Sequence, residues 1–205
     1  MILKRITVPR FKGAKFNKWG LLCITIFSLM ACSGTPSSLT YYLLHSPSSG
    51  AMSETYPTTA KLVIIDRITL PEYLKHRGLV YQTSDTNLHI STKHLWAEPV
   101  EEGLTKSLKQ ALATRNVKLL RADHYDGKAA IHISLHVTDF VSTHKGEVTF
   151  TGDYVITSSL DELTHFTFDL RTDLENDGFS ASIDAMRHAI DKLAETIAIE
   201  VGKID

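Results

Sequence analysis

The sequence predicts a single α+β domain, mainly antiparallel sheet, with two amphipathic helices packed on one face. Three observations predict it. Apolar and polar residues alternate in three long segments between residues 131 and 172. Two other segments, at 99–116 and 180–201, place apolar residues at helical spacing. Short turn-rich links join the alternating segments, as in an antiparallel meander with one wet face. The chain has 205 residues, 43% of them apolar, enough for one ordinary domain without internal repeats.

Ahead of the domain lies a leader. Lys4, Arg5, Arg10, Lys12, Lys15 and Lys18 are all the charges of the first 31 residues, and no acid precedes Glu54. Residues 20–31 carry no charge but fall short of the roughly twenty apolar residues of a spanning helix. They fit the apolar region of a secretion signal. The run ends Leu29-Met30-Ala31-Cys32-Ser33-Gly34, which resembles the lipobox of bacterial lipoproteins, where the cysteine is acylated and becomes residue one. Met30 is a less usual residue at its position, and the competing Cys23 follows the bulky Leu22. Residues 1–31 are thus expected to be a lipoprotein signal peptide, with lipidation at Cys32. Each buried acyl methylene contributes about 0.8 kcal/mol, so three chains anchor a protein essentially permanently. Ser33 after the cysteine resembles lipoproteins released to the outer membrane.

Residues 32–40 read as a flexible polar tether. The eight residues after Cys32 span at most roughly 28 Å, keeping the body near the lipid. The domain proper is expected over residues 41–205. Without the leader, 16 of the 22 basic residues face all 23 acidic ones. Such an acidic body is ill suited to nucleic acid, which calls for clustered Lys and Arg. Two cysteines exclude a disulfide framework and a cysteine-based metal cluster.

Within the domain, residues 41–44 form a short apolar run suited to a first strand, and 46–59 read as loop. Leu62, Ile64 and Ile68 lie in a strand-like stretch at 61–70. Residues 79–83 and 88–91 flank Ser84-Asp85-Thr86-Asn87 as a hairpin. Pro99 suits the first position of a helix, with Glu101 and Glu102 in its first turn. Its stripe is Val100, Leu104, Leu108, Ala111 and Leu112, and Asn116 stops it. Strands follow at 131–138, 146–158 and 163–172. In the first, Ile131, Ile133, Leu135 and Val137 oppose His132, Ser134, His136 and Thr138; in the last, Phe166, Phe168 and Leu170 share a face. Ser180 is expected to cap the second helix, whose stripe is Ile183, Met186, Ile190, Leu193, Ile197 and Val201.

Chemistry is thin along this chain. His132 and His136 share a strand face but stand roughly 13 Å apart, too far for one zinc. Asp173, Glu175, Asp177 and Gly178 imitate the start of a calcium loop, but Asp184 stands where the bidentate glutamate belongs. Residues 178–182 lack the closing glycine of a nucleophile elbow. No phosphate-cradling loop is present. No catalytic residue, metal or cofactor is expected.

The informative stretch is 68–112. It holds Leu70-Pro71-Glu72-Tyr73-Leu74, then Arg77 with Leu79-Val80-Tyr81, then Leu95-Trp96-Ala97-Glu98-Pro99-Val100 opening the helix. Trp96 could staple the helix start to the sheet or face a partner. With the lipobox and Tyr41-Tyr42 after the tether, this order resembles the ABC-type transport auxiliary lipoprotein family across roughly residues 32–204. Trp96-Ala97-Glu98-Pro99 is its most specific piece. Leu95 stands where the family often has arginine, and Val100 replaces a common leucine.

The resemblance implies a non-enzymatic, lipid-anchored part of an envelope lipid-transport system. It would accompany an inner-membrane permease and a periplasm-spanning protein with MCE domains, docking that conduit at the outer membrane as a ring of identical copies. Arg77, Tyr81, Trp96 and Glu98 are the candidate partner-binding residues. Two other classes remain open: a lipid-binding carrier with an acyl-sized cavity of roughly 300 Å³ or more, and an envelope hydrolase using Ser180 and His188. Each helix carries only one apolar stripe, enough for a core with little left over to line a cavity.

Overall fold

In chain order the elements are β1 (Thr40–Tyr42), β2 (Lys61–Thr69), β3 (Gly78–Ser84), β4 (Asn87–Trp96), α1 (Val100–Ala113), β5 (Val117–Arg121), β6 (Ile131–Ser142), β7 (Glu147–Ser158), β8 (Leu163–Asp173) and α2 (Phe179–Gly202). The computed structural model describes residues 38–47, 59–125, 127, 131–158 and 162–204. The expected signal peptide, Cys32 and most of the tether lie outside them.

The long alternating segments become β6, β7 and β8, an antiparallel meander. Its register runs from Ile131 opposite Ser158 to Ser142 opposite Val148, and from Glu147 opposite Asp173 to Thr157 opposite Leu163. Alternation sorts the side chains: Ile133 and Leu135 of β6, Phe150 and Ile156 of β7 and Phe168 of β8 turn inward, while His132, Ser134, His136 and Thr138 face out.

The rest of the sheet is mixed. β2 lies parallel to β6 on one side and to β5 on the other. β3 meets β6 in parallel at Tyr81 opposite Ser142, pairs antiparallel with β4, and β4 takes β1 in parallel at the edge. The parallel β2–β5 pair follows from α1, because a return in the same direction needs a crossover connection, usually a helix.

Both helices lie against the inner face. α2 covers β6, β7 and β8; α1 covers β2 and β5 and packs on α2. The α2 stripe is buried from Ile183 to Val201, and Val100, Leu104, Leu108 and Leu112 of α1 are each at most 3% exposed. They join the inner residues of the sheet, and Trp96, in one core. Burial of these stripes, rather than helix propensity, holds the helices in place.

Several boundaries differ from expectation, each for a local reason. Pro99 is the residue before α1, with extended backbone (φ −53°, ψ 139°), so Val100 opens the helix. α2 begins at Phe179 after Gly178, without a side-chain cap, so Ser180 does not cap it. The cause is Phe179, whose ring is drawn against Tyr42, Tyr81 and His94. Asn116 stops α1 by adopting φ 58°, a left-handed conformation asparagine tolerates. Its carbonyl then accepts from the Lys61 amide, joining α1 to the sheet.

A bulge after Val137 shifts β6 by one residue, so that Val137 and Phe140 both face the core. Beside it β7 must carry glycine. A Cβ at Gly152 would lie 2.2 Å from the His136 carbonyl oxygen and 3.0 Å from the Phe168 ring. Gly152→Ala should cost about 2 kcal/mol through backbone displacement, read as a lowered urea midpoint with an unchanged slope.

Two tyrosines resist ionisation. Burial pushes the Tyr154 hydroxyl up to about 12, with Glu200 adding to the effect. Burial also pushes Tyr73 up to about 12, although its bond from the Phe140 amide opposes this. Unfolded tyrosine ionises near 10. The unfolded chain therefore releases these protons first, so stability holds below pH 10 and falls between pH 10 and 12. The loss is at most about 1.4 kcal/mol per pH unit per tyrosine. Tyr154→Phe should remove about half of the fall between urea melts at pH 9 and pH 11.

Candidate functional site

The two ends of the stretch over residues 68–101 meet at one end of the sheet. β2 runs out at Thr69, and the short 3₁₀ turn Glu72–Lys75 buries Leu74 before the chain returns through Arg77 to β3. β4 ends at Trp96, and Ala97-Glu98-Pro99 passes directly into α1. The Trp96 amide donates to the Arg77 carbonyl at 2.7 Å, tying the two passages together. Between them lies a groove of about 570 Å³. Ile68, Leu70, Leu74 and Val100 supply its apolar lining; Lys75 and Arg77 come from the turn side and Glu98 from the helix side.

Glu98 is held from two directions. Its Oε1 lies 2.8 Å from His45 Nδ1, and its Oε2 accepts from Lys106 Nζ at 2.5 Å. That bond is the chief cause holding the Lys106 ammonium above the usual lysine range. Arg77 is exposed, its guanidinium carbon 5.8 Å from the Tyr41 ring centroid. Arg77 and Glu98 therefore line one groove. Tyr81 and Trp96 belong to the inner layer. Trp96 is 4% exposed, and Tyr81 stands edge-on to Phe179 at 5.7 Å and tilted over His89 at 5.0 Å.

A second feature escaped sequence reading: residues 43–46, which follow β1, are strapped between the helices. Arg187 of α2 donates through Nε to the Leu44 carbonyl at 2.9 Å and through Nη2 to the Leu43 carbonyl at 3.0 Å. Gln110 of α1 donates to the Ser46 carbonyl at 2.9 Å. Leu44 is buried where Gly103 leaves room, with its Cβ 3.0 Å from the place a Gly103 Cβ would take. A lone arginine among helical surface charges carries no sequence signal for this, because its acceptors are backbone carbonyls.

The other chemical candidates fall apart in space. Ser180 and His188 sit eight residues apart on α2, about 12 Å along its axis. The acidic turn at 173–178 leads into α2, with Gly178 at φ 110°. His132 faces away from the core, its Nδ1 2.8 Å from Asp66 Oδ1. Among the described residues no three His, Cys, Asp or Glu side chains are placed to hold a metal ion.

Known proteins show the same architecture. One solved structure of an uncharacterised protein superposes with a TM-score of 0.67 at 24% identity, covering 80% of this chain and 99% of that one. A protein from Xanthomonas campestris superposes at 0.57 with 13% identity, covering 82% of this chain and 95% of that one. In sequence, the intermembrane transport lipoprotein PqiC of Escherichia coli (strain K12) is 28% identical over 188 residues, 92% of this chain and 99% of that protein. The PqiC of Shigella flexneri matches to the same extent. The model of the ABC-type transport auxiliary lipoprotein component matches residues 42–198, from β1 nearly to the end of α2. With that match spanning both layers and the groove between 68 and 101, the chain belongs to the ABC-type transport auxiliary lipoprotein family.

Proposed function

We propose that this protein is the outer-membrane lipoprotein subunit of an MCE/ABC-type intermembrane lipid transport system. Anchored through Cys32 and facing the periplasm as a homo-oligomer, it docks the periplasm-spanning MCE-domain protein that works with an inner-membrane permease, and so supports membrane integrity. The end-to-end similarity to PqiC, named as an intermembrane transport lipoprotein, carries this reading. The family is one of transport auxiliary components rather than enzymes. The groove at 68–101 is the proposed docking site, with an apolar lining and charged rim of the kind partner segments engage. Arg77 and Glu98 contact the partner there, and Trp96, whose amide is bonded to the Arg77 carbonyl, supports the groove from within, whereas Tyr81 lies away from it against Phe179 and His89.

Ala97 is exposed in the groove, so Ala97→Arg obstructs it without touching the core. An MCE-domain protein should co-purify with the wild-type chain from gently crosslinked membranes, and Ala97→Arg should lower its yield about tenfold, the size of a lost central contact. A wild-type chain recovered without any MCE-domain protein would overturn the proposal.

The groove's volume also favours a second reading, a lipid-binding carrier, since ligand sites typically span about 300–1,000 Å³. Phospholipid retained in stoichiometric amount by the purified protein, and lost in Ala97→Arg, would select it.

A further inference from the structure

We infer that the outer face of the β1–β4–β3 corner is a seat on the bilayer: Leu39, Tyr41, Leu88 and Ile90 rest at the headgroup–acyl boundary of the membrane that carries the anchor. This goes beyond the docking role and rests on acylation of Cys32.

Six large apolar side chains stand strongly exposed among the described residues: Leu39, Tyr41, Leu88, Ile90, Leu163 and Ile199, at 40–65%. Four of them fall on this one corner. Tyr41 lies beside Leu95, Leu95 beside Gly78, Ile90 beside Val80 and Leu88 beside Gln82. All point away from the helices, because their chain neighbours Tyr42, Leu79 and Trp96 join the core. Gly78 makes the patch continuous. Ile90 Cγ2 lies 2.7 Å from the place a Gly78 Cβ would take, so the isoleucine laps over the glycine toward Leu95. Patches of this kind mark interaction surfaces.

Three features point to lipid rather than protein as the occupant. The first is reach: Leu39 is seven residues from Cys32, at most about 25 Å of extended chain. The second is composition. Aliphatic side chains, a tyrosine and an arginine are the residues that settle at a membrane interface. Arg77 lies over the Tyr41 ring and has no carboxylate partner among the described residues. The third is charge. Residues 38–47 and 76–97, which build the corner, contain one of the chain's 23 acids. That acid, Asp85, lies 3.6 Å from His144 and 3.8 Å from Lys145. The corner therefore carries little of the negative charge that would repel an acidic body from anionic lipid.

The test uses the mature lipoprotein, made from the full chain and reconstituted in phosphatidylethanolamine–phosphatidylglycerol vesicles containing brominated lipid. Removal of the leader leaves the buried Trp96 as the only native tryptophan and a constant background. Tyr41→Trp should lose about half of its added fluorescence to the quencher, as an interfacial aromatic does. Leu163→Trp, on the edge strand β8, should lose none beyond background. Ile90→Glu combined with Tyr41→Trp should at least halve the quenching while the protein still floats with the vesicles. Floating protein whose tryptophan at 41 is unquenched, or quenched no more than that at 163, overturns the seat and leaves the anchor. Quenching at 41 in a chain found unacylated upholds the seat and removes the anchor.

Discussion

Trp96→Ala is expected to destabilise the domain by about 3–5 kcal/mol, the range for truncating a buried tryptophan. The residue is 4% exposed and closes the core where three elements meet. It ends β4, pairs with Tyr42 of β1, and stands three residues before Pro99 and α1. Its removal leaves a cavity beneath the groove. With a urea slope of about 2 kcal/mol/M, the midpoint should fall by about 1.5–2.5 M. Trp96→Phe should retain most of the stability, because it keeps an aromatic wedge at the same place. An exposed, partner-facing tryptophan would leave the midpoint nearly unchanged, so the measurement separates support of the groove from direct contact.

The second large effect concerns the strap after β1. Arg187→Met removes two well-formed bonds to backbone carbonyls, at 2.9 and 3.0 Å, and a longer one to His45 at 3.4 Å. Hydrogen bonds to a charged donor contribute about 1.5–3 kcal/mol each, so local opening should become easier by about 3 kcal/mol. Hydrogen exchange of the amides of residues 43–46 should quicken by roughly a hundredfold, while the α2 amides change little. Arg187→Lys should not rescue it, since an ammonium lacks the planar fork that serves several carbonyls at once.

Elements whose pattern is long and local were legible in the sequence. β6, β7 and β8 show alternation over many residues, and the α1 and α2 stripes are equally plain. β5 was not legible. In Val117–Arg121 the apolar Leu119 and Leu120 are adjacent, so five residues cannot show which period applies. The second half of β4 was missed because the chain kinks at Ser91, whose hydroxyl accepts from the amides of Lys93 and His94. Its pairing with β1 joins residues more than fifty apart, which no local pattern encodes. The seat was invisible for that reason: the register alone puts Tyr41 on the face of Leu95 and Ile90. The groove was half legible. Its two walls were both singled out in the stretch 68–112, but their meeting depends on where β2 and β4 end.

The most direct test of an acylated docking lipoprotein is metabolic labelling with palmitate, run on the wild-type chain and Cys32→Ser in parallel and followed by membrane fractionation. The expected result is label on the wild-type protein alone, recovered with the outer membrane, and an unlabelled Cys32→Ser chain that no longer stays there. A wild-type chain that takes up no palmitate and is released when the cells are broken would contradict it.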